Sequence, residues 1–151
     1  ALANGEVTRA HYARYLVQIG KVSNDGQAFK RYLGGGKSCF VKAEWVDIPT
    51  AIDTIHAAGG VAVIAHPMRY NMTGKWIRRL IVDFKQWGGD GMEVADSGQT
   101  KDQRQYLARL ANEYDLAASL GSDFHFPCGW IELGKNLFLP EEVKPIWTLF
   151  E

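Results

Sequence analysis

Apolar residues recur at three- and four-residue spacing in some stretches and in short unbroken runs in others, and the character of the chain changes near residue 43. Before that point Ala10, Ala13, Leu16 and Val17 make one stripe. This predicts a helix capped by Thr8, running to about Ile19 and stopped by Gly20. A second helix is expected to start at a Ser23 cap and end near Leu33, before Gly34, Gly35 and Gly36, so the two form a helical hairpin.

Beyond residue 43 helical and strand patterns alternate. Residues 49–58 read as a helix with proline in its first turn and Gly59-Gly60 after it. Residues 61–65 read as a strand apolar on both faces, which suits the centre of a parallel sheet. An amphipathic helix over 73–87, a strand over 91–95, a helix over 99–114 and a strand over 116–120 follow. Residues 137–139 are expected to add a strand, and the segment from Pro140 a last helix. The alternation implies right-handed crossovers and a parallel sheet or barrel, hence an α/β fold class.

Composition narrows the reading. The 151 residues are 46% hydrophobic and 23% charged, an ordinary globular balance. Seventeen basic residues offset seventeen acidic ones, so no general electrostatic grip on nucleic acid is implied, while a local basic patch stays open. The longest aliphatic run, 61–65, is far short of the roughly 20 residues of a membrane span. The first ten residues carry no signal-peptide pattern. Cys39 and Cys128 form no CxxC pair. A reducing, cytoplasmic setting is expected, and a disulfide between the two stays open.

In parallel α/β folds ligands bind at the carboxyl ends of the strands. That rule selects His66 after the first strand, Glu93 and Asp96 at the end of the second, and Asp123 and His125 after the third. Imidazoles and carboxylates are the usual ligands of Zn, Mn and Fe. Pro67 should push His66 into extended backbone and aim its ring off the strand tip. Asp123 and His125, two apart in an extended segment, should face one ion. Glu93 and Asp96 read equally as loop or capping groups, and Asp96-Ser97 could start the next helix. Arg69, three residues after His66, could clamp a phosphate. His56 reads as a packing or surface residue of its helix. His11 lies between Arg9 and Arg14, either a phosphate-holding helix start or an ordinary basic face. Gly34 to Ser38 mimics the end of a phosphate loop, but Arg31 stands where that motif needs glycine.

GGVAVIAHPMRY followed by GSDFH resembles two motifs of the PHP (polymerase and histidinol phosphatase) superfamily. TRAHYARYLVQIGKVSNDGQAFKRYLGGGK resembles the helical insertion of the branch holding ribonuclease AM-type 5′-to-3′ exoribonucleases and 3′,5′-nucleoside bisphosphate phosphatases. The resemblance implies a distorted (β/α)7 barrel, with residues 1–43 as the helical insertion and 44–151 as the C-terminal portion of the barrel. It implies His66, Asp123 and His125 as metal ligands and Arg69 and Arg9 as phosphate contacts. The ions would be divalent, Mn2+ first, with Zn2+, Fe2+ or Mg2+ as alternatives. The substrate would be a nucleotide or an RNA 5′ end, with water attacking phosphorus in line and no protein nucleophile.

The HxH…D motif that opens the family pattern is absent, so the resemblance implies a C-terminal half whose partner is the missing N-terminal half of the barrel. An inactive fragment, a nucleotide-binding module and a histidinol-phosphate phosphatase are the alternatives, and the helical insertion argues against the last.

Overall fold

The computed structural model describes residues 6–125, 127 and 132–150. Cys128, and with it any pairing to the exposed Cys39, lies outside the described residues. The chain divides into two compact units, Ala1–Trp45 and Val46–Glu151.

In the first unit Thr8 is extended, and its backbone N–H donates to His11 Nδ1 at 3.0 Å as α1 (Arg9–Gln18) begins. This bond gives His11 a role in starting the helix. The second helix, α2 (Asp25–Ala28), is capped by Asn24 and not by Ser23. Asn24 is extended, and its Oδ1 accepts from the Gln27 N–H at 3.0 Å, satisfying a donor at the helix start. The helix widens into a π turn over Phe29–Leu33, closed by the Gly34 N–H on the Phe29 carbonyl at 2.8 Å. A Cβ at residue 34 would lie 2.7 Å from that carbonyl oxygen, so this closure needs glycine. Ala13, Val22, Ala28 and Leu33 form the core of the unit, backed by Leu16, Val17, Phe29 and Tyr32.

The second unit is built on a parallel three-stranded sheet, β1 (Val63–Ile64), β2 (Gly91–Asp96) and β3 (Ala117–Gly121), in that spatial order. Among the described residues β2, and not the 61–65 segment, is the central strand. The apolar run pairs with β2 over two ladder residues. Helix α3 (Ile48–Ala57) starts at Asp47, whose Oδ1 accepts from the Thr50 N–H at 2.9 Å. Helix α4 (Gly74–Gln86) buries Ile77, Ile81 and Phe84. Helix α5 (Lys101–Glu113) opens with a reciprocal Thr100–Gln103 capping box and buries Leu107, Ala108, Leu110 and Ala111. These faces close over Met92 and Val94, so every residue of β2 is buried.

Two expectations for the end of the chain change. Residues 137–139 form no strand, and the last helix is a single 3-10 turn, Ile146–Leu149. Pro145 explains the second change: it lacks an N–H and sits extended at φ −68°, ψ 143°. Residues 144 and 145 instead meet the β3 edge, where the Ala118 N–H donates to the Lys144 carbonyl at 2.7 Å. Among the described residues no helix is long and apolar enough to cross a membrane.

At the amino end of the sheet, Asp90 Oδ2 lies 2.7 Å from His56 Nε2 and accepts from the Ala62 N–H at 2.7 Å. One carboxylate thus ties α3 and the entry to β1 to the entry to β2, and His56 has the structural role expected of it. Asp90→Ala should lower the unfolding free energy in urea by about 1–3 kcal/mol, the cost of stranding a part-buried donor. A change under about 0.5 kcal/mol would show that water replaces the carboxylate at this joint.

Candidate active site at the carboxyl ends of the strands

β1, β2 and β3 run parallel, so their carboxyl ends lie on one side of the sheet, with His66, Asp96 and Ser122 just at or past the last ladder pairs. What the chain does there departs from the regular strand pattern. The ladder between β2 and β3 slips at Val94: Glu93 pairs with Ser119 and Ala95 with Leu120. In an unbroken strand residues 93 and 96 would point to opposite faces. The extra residue resets the alternation, and the two carboxylates are electrostatic neighbours with different partners, Glu93 on the His66 N–H and Asp96 on Arg69 and the Gly98 N–H.

Glu93 Oε2 accepts from the His66 backbone N–H at 2.8 Å, while Glu93 Oε1 is buried with no partner among the described residues. Burial pushes the Glu93 carboxyl above its ordinary range; the His66 N–H opposes this and the neighbouring Asp96 carboxylate adds to it. A Cβ at Gly121 would come within 3.2 Å of Glu93 Oε1, so glycine there leaves the carboxylate its space.

Asp96 is only 3% exposed at its side chain. Its Oδ2 is 2.6 Å from Arg69 Nη2, and its Oδ1 accepts from the Gly98 N–H at 2.7 Å. Burial pushes this carboxyl up, but the Arg69 and Gly98 hydrogen bonds outweigh it and hold the group below the usual carboxylate range. The Gly98 contact is a tight turn, so Asp96 does not start the next helix, which waits for Thr100. Arg69 Nη1 pairs with Asp123 Oδ2, so one guanidinium spans the end of β2 and the segment after β3. Its own pKa is raised, first by the Asp96 hydrogen bond.

Two expectations about backbone are corrected. His66 is left-handed (φ 32°, ψ 56°) and not extended. Proline disfavours the right-handed helical well for the residue before it and leaves extended backbone as the usual choice; here His66 takes the left-handed well. In that well the His66 N–H turns onto Glu93 while its carbonyl accepts from the Arg69 N–H at 2.9 Å, closing the short turn Pro67–Arg69. Asp123 is also left-handed (φ 53°), which breaks the two-residue alternation proposed to align it with His125. His66 and Asp123 are two of the four described non-glycine residues with positive φ, with Asp115 and Asn136, and these two follow strand ends.

The imidazoles are posed differently. His66 Nδ1 is buried and without a partner, and the ring meets Tyr70 edge-on at 5.9 Å. Tyr70 is held by its hydroxyl on the Ala65 carbonyl at 2.8 Å. His125 Nδ1 lies 2.8 Å from the Asp123 carbonyl oxygen. A donor to that carbonyl must be Nδ1–H, and in the neutral ring this leaves Nε2 as the acceptor nitrogen on a largely exposed side chain. Among the described residues no three His, Cys, Asp or Glu side chains are gathered closely enough to hold an ion. The donor types nevertheless fit a divalent cation: imidazole nitrogen and carboxylate oxygen, two of them buried and unsatisfied. Arg9 opens α1 in the other unit.

Sequence reasoning left Glu93 and Asp96 undecided and did not find Arg104. That side chain is buried, donates to the Asp96 carbonyl at 3.4 Å and the Asn136 carbonyl at 3.0 Å, and stacks 3.9 Å over the Phe138 ring. An arginine inside the apolar face of α5 was the available signal.

No family model matches the chain. It is 81% identical over 150 residues to a 5′-3′ exoribonuclease of Haemophilus influenzae, covering 99% of this chain and 55% of that protein. It is 51% identical to the 5′-3′ exoribonuclease Rnm of Escherichia coli (97% of this chain, 50% of that one). It is 42% identical to a 3′,5′-nucleoside bisphosphate phosphatase of Chromobacterium violaceum (96% and 51%). Among solved structures it is similar to a Chromobacterium violaceum amidohydrolase with bound sulfate and no metal, at TM-score 0.80 and 42% identity over 94% of this chain and 49% of that one. It is also similar to a structure from Bifidobacterium adolescentis named as a metal-dependent phosphoesterase, at TM-score 0.72 and 28% identity (97% and 52%). The chain thus spans about half the length of the curated relatives it matches. These names agree with the resemblance to the PHP superfamily, and the curated relatives are hydrolases of nucleotide or RNA phosphoesters by name.

Breaking a buried ion pair from one side leaves the other charge stranded. Because Arg69 is partly exposed, Arg69→Met in metal-free protein should cost about 1–3 kcal/mol in urea. Asp96 is held below its ordinary pKa, so its contribution is present above the unfolded value and lost as pH falls through the lower folded value. The gap between wild type and variant should therefore narrow in acid. A gap that widens in acid would show that Asp96 is not the group Arg69 compensates.

Proposed function

We propose that this chain is the C-terminal portion of a distorted (β/α)7 barrel of the PHP type, and that the whole protein is a divalent-metal phosphoesterase acting on nucleotide or RNA 5′-end phosphates. The observation that carries this reading is the group of His66, Glu93, Asp96, Asp123 and His125 around Arg69 at the carboxyl end of the sheet, with two buried donor atoms left unsatisfied. The relatives named for 5′-3′ exoribonuclease and bisphosphate phosphatase activity support the substrate class. The sulfate in the structural neighbour supports a site for a tetrahedral dianion in that protein's fold.

His66, Asp123 and His125 would hold the ions, with Glu93 Oε1 as a further donor; Mn2+ is the first candidate because the resemblance to the PHP superfamily implies it. Bound divalent ions would supply Lewis-acid polarisation of the phosphoryl oxygens and acidify the attacking water. This chain's residues do the rest. The Asp123 carbonyl fixes His125 with Nε2 outward. The Glu93 carboxylate fixes the turn that carries His66. Arg69, held at one end by the deeply buried Asp96, would present its exposed N–H groups to the phosphate, and Asp123, now on the guanidinium, would be a ligand when an ion is bound. Arg9, on the helical unit, is the second phosphate contact of this reading.

Three described donors of one kind of site do not gather without help, and a two-ion site needs ligands from both walls of its cleft. The remaining ligands, and further strands of the barrel beside β1, would come from a portion that this chain does not contain.

Phosphate or nucleotide release from a 3′,5′-bisphosphate and from a 5′-phosphorylated RNA, with Mn2+ added, tests the reading. The whole protein should turn over at least one of them, and Asp123→Asn or His66→Ala should lower the rate by about a hundredfold or more together with metal content. The 151-residue chain alone should bind metal weakly and show no turnover, and mixing with the remaining portion should restore both. Full activity from the 151 residues alone would overturn the claim that ligands lie elsewhere.

A further inference from the structure

Arginine is costly at position 104. The residue belongs to the buried face of α5, in line with Leu107, Ala108 and Ala111, and is only 5% exposed. Its charge lies at the end of the first helical turn, where the helix dipole disfavours a cation. Among the described residues its hydrogen-bond partners are backbone carbonyls and no carboxylate. Burial pushes its pKa down, and the charge of Asp96 opposes this. Replacing a buried charge by a well-packed apolar side chain is often neutral or stabilising, so Arg104 answers to something besides stability.

Its contacts define that role. Arg104 Nη2 donates to the Asp96 carbonyl at 3.4 Å and to the Asn136 carbonyl at 3.0 Å, and the guanidinium lies 3.9 Å from the centre of the Phe138 ring. Ser97 makes a second tie beside it, its hydroxyl donating to the Lys135 carbonyl at 3.1 Å. Residues 135–138, for the most part exposed, are thereby strapped to the turn that follows β2. Every polar group of Asp96 is held in that turn. Its N–H donates to Gln99 Oε1 at 3.0 Å, and its carbonyl accepts from the Gln99 N–H at 3.2 Å as well as from Arg104. Its Oδ1 accepts from the Gly98 N–H, and its Oδ2 pairs with Arg69 Nη2. Gln99 and Gly98 belong to the turn itself, so Arg104 is what anchors the turn to α5 and to residues 135–138.

We propose that Arg104 is a positioning residue for the phosphate clamp: by holding the Asp96 backbone against residues 135–138, it fixes the carboxylate that orients Arg69. A planar guanidinium fork grips a phosphate in one plane, so its worth depends on that plane being set before the ligand arrives. Asp96 sets it through Arg69 Nη2, and a carboxylate does so only when its own backbone is fixed. Arg104→Lys would keep the charge, but one ammonium does not reproduce a flat group that also stacks on Phe138. Arg104→Met would keep the length and lose both carbonyl contacts. The proposal rests on the reading of Arg69 as a phosphate contact of a phosphoesterase.

The test is a double-mutant cycle in the whole protein, Arg104→Met and Arg69→Met singly and together, read as kcat/KM in Mn2+ for a 3′,5′-bisphosphate or a 5′-phosphorylated RNA. Arg104→Met should lower kcat/KM by about 3- to 30-fold when Arg69 is present and by less than about twofold in the Arg69→Met background, and Arg104→Lys should recover part of the loss. A side chain that only held the fold together would cost the same factor in both backgrounds. That result, or no loss at all, overturns the proposal. Should Arg104→Met fail to fold, Arg104→Lys carries the cycle with the same two outcomes. A second readout needs no turnover. In metal-free protein with isotope-labelled arginine, Arg69 is gripped at both Nη atoms and should show slow guanidinium rotation, with separate Nη signals in nitrogen NMR that vanish in Arg69→Met. Those signals should merge in Arg104→Met; if they stay separate, Arg104 does not set the clamp. Absence of phosphate release by wild type would overturn the phosphoesterase reading, and the nitrogen signals would still decide whether Arg104 orients Arg69.

Discussion

Two carboxylates buried at the end of one strand set the terms for everything around them. Glu93 and Asp96 lie close enough for each to raise the cost of ionising the other, and both are largely removed from water. A buried carboxylate needs an opposite charge or hydrogen-bond donors. Asp96 finds both in Arg69 and the Gly98 N–H, whereas Glu93 has a single backbone donor and one oxygen left over. The left-handed turn at His66 brings its N–H to Glu93, and the pairing of Arg69 with Asp96 compensates the second carboxylate. The compensation is incomplete, and the incompleteness marks the site: a fold that needed only stability would replace Glu93 with an apolar side chain.

The three strands of the sheet and their order along the chain were legible in the sequence, because apolar runs, glycine stops and caps are local signals. The same signals put His66 after the first of these strands and Asp123 and His125 after the third. The details that aim them were not legible there. A bulge at Val94 depends on how β2 pairs with β3, and no local pattern announces it, so the shared facing of Glu93 and Asp96 stayed hidden. Pro67 told which backbone well His66 avoids without telling which it takes. The position of β1 at the sheet edge depends on which neighbours are present, and its apolar run carries no information about them.

Similarity to exoribonucleases and to a bisphosphate phosphatase, over nearly all of this chain and half of theirs, fits a site whose donors are right in kind and short in number. The two units differ in charge: residues 1–45 carry more basic than acidic side chains, and the α/β unit carries the excess of acid.

The central claim is that the carboxyl-end cluster of this chain is one wall of a divalent-metal site. Anomalous diffraction at the manganese edge from crystals of the whole protein grown with Mn2+ tests it most directly. The account predicts at least one manganese peak within bonding distance, about 2–2.4 Å, of His66, Asp123 or His125, with Asp123 turned away from Arg69. Manganese bound elsewhere, with the Arg69–Asp123 pair intact and none of these three side chains at the ion, would contradict it.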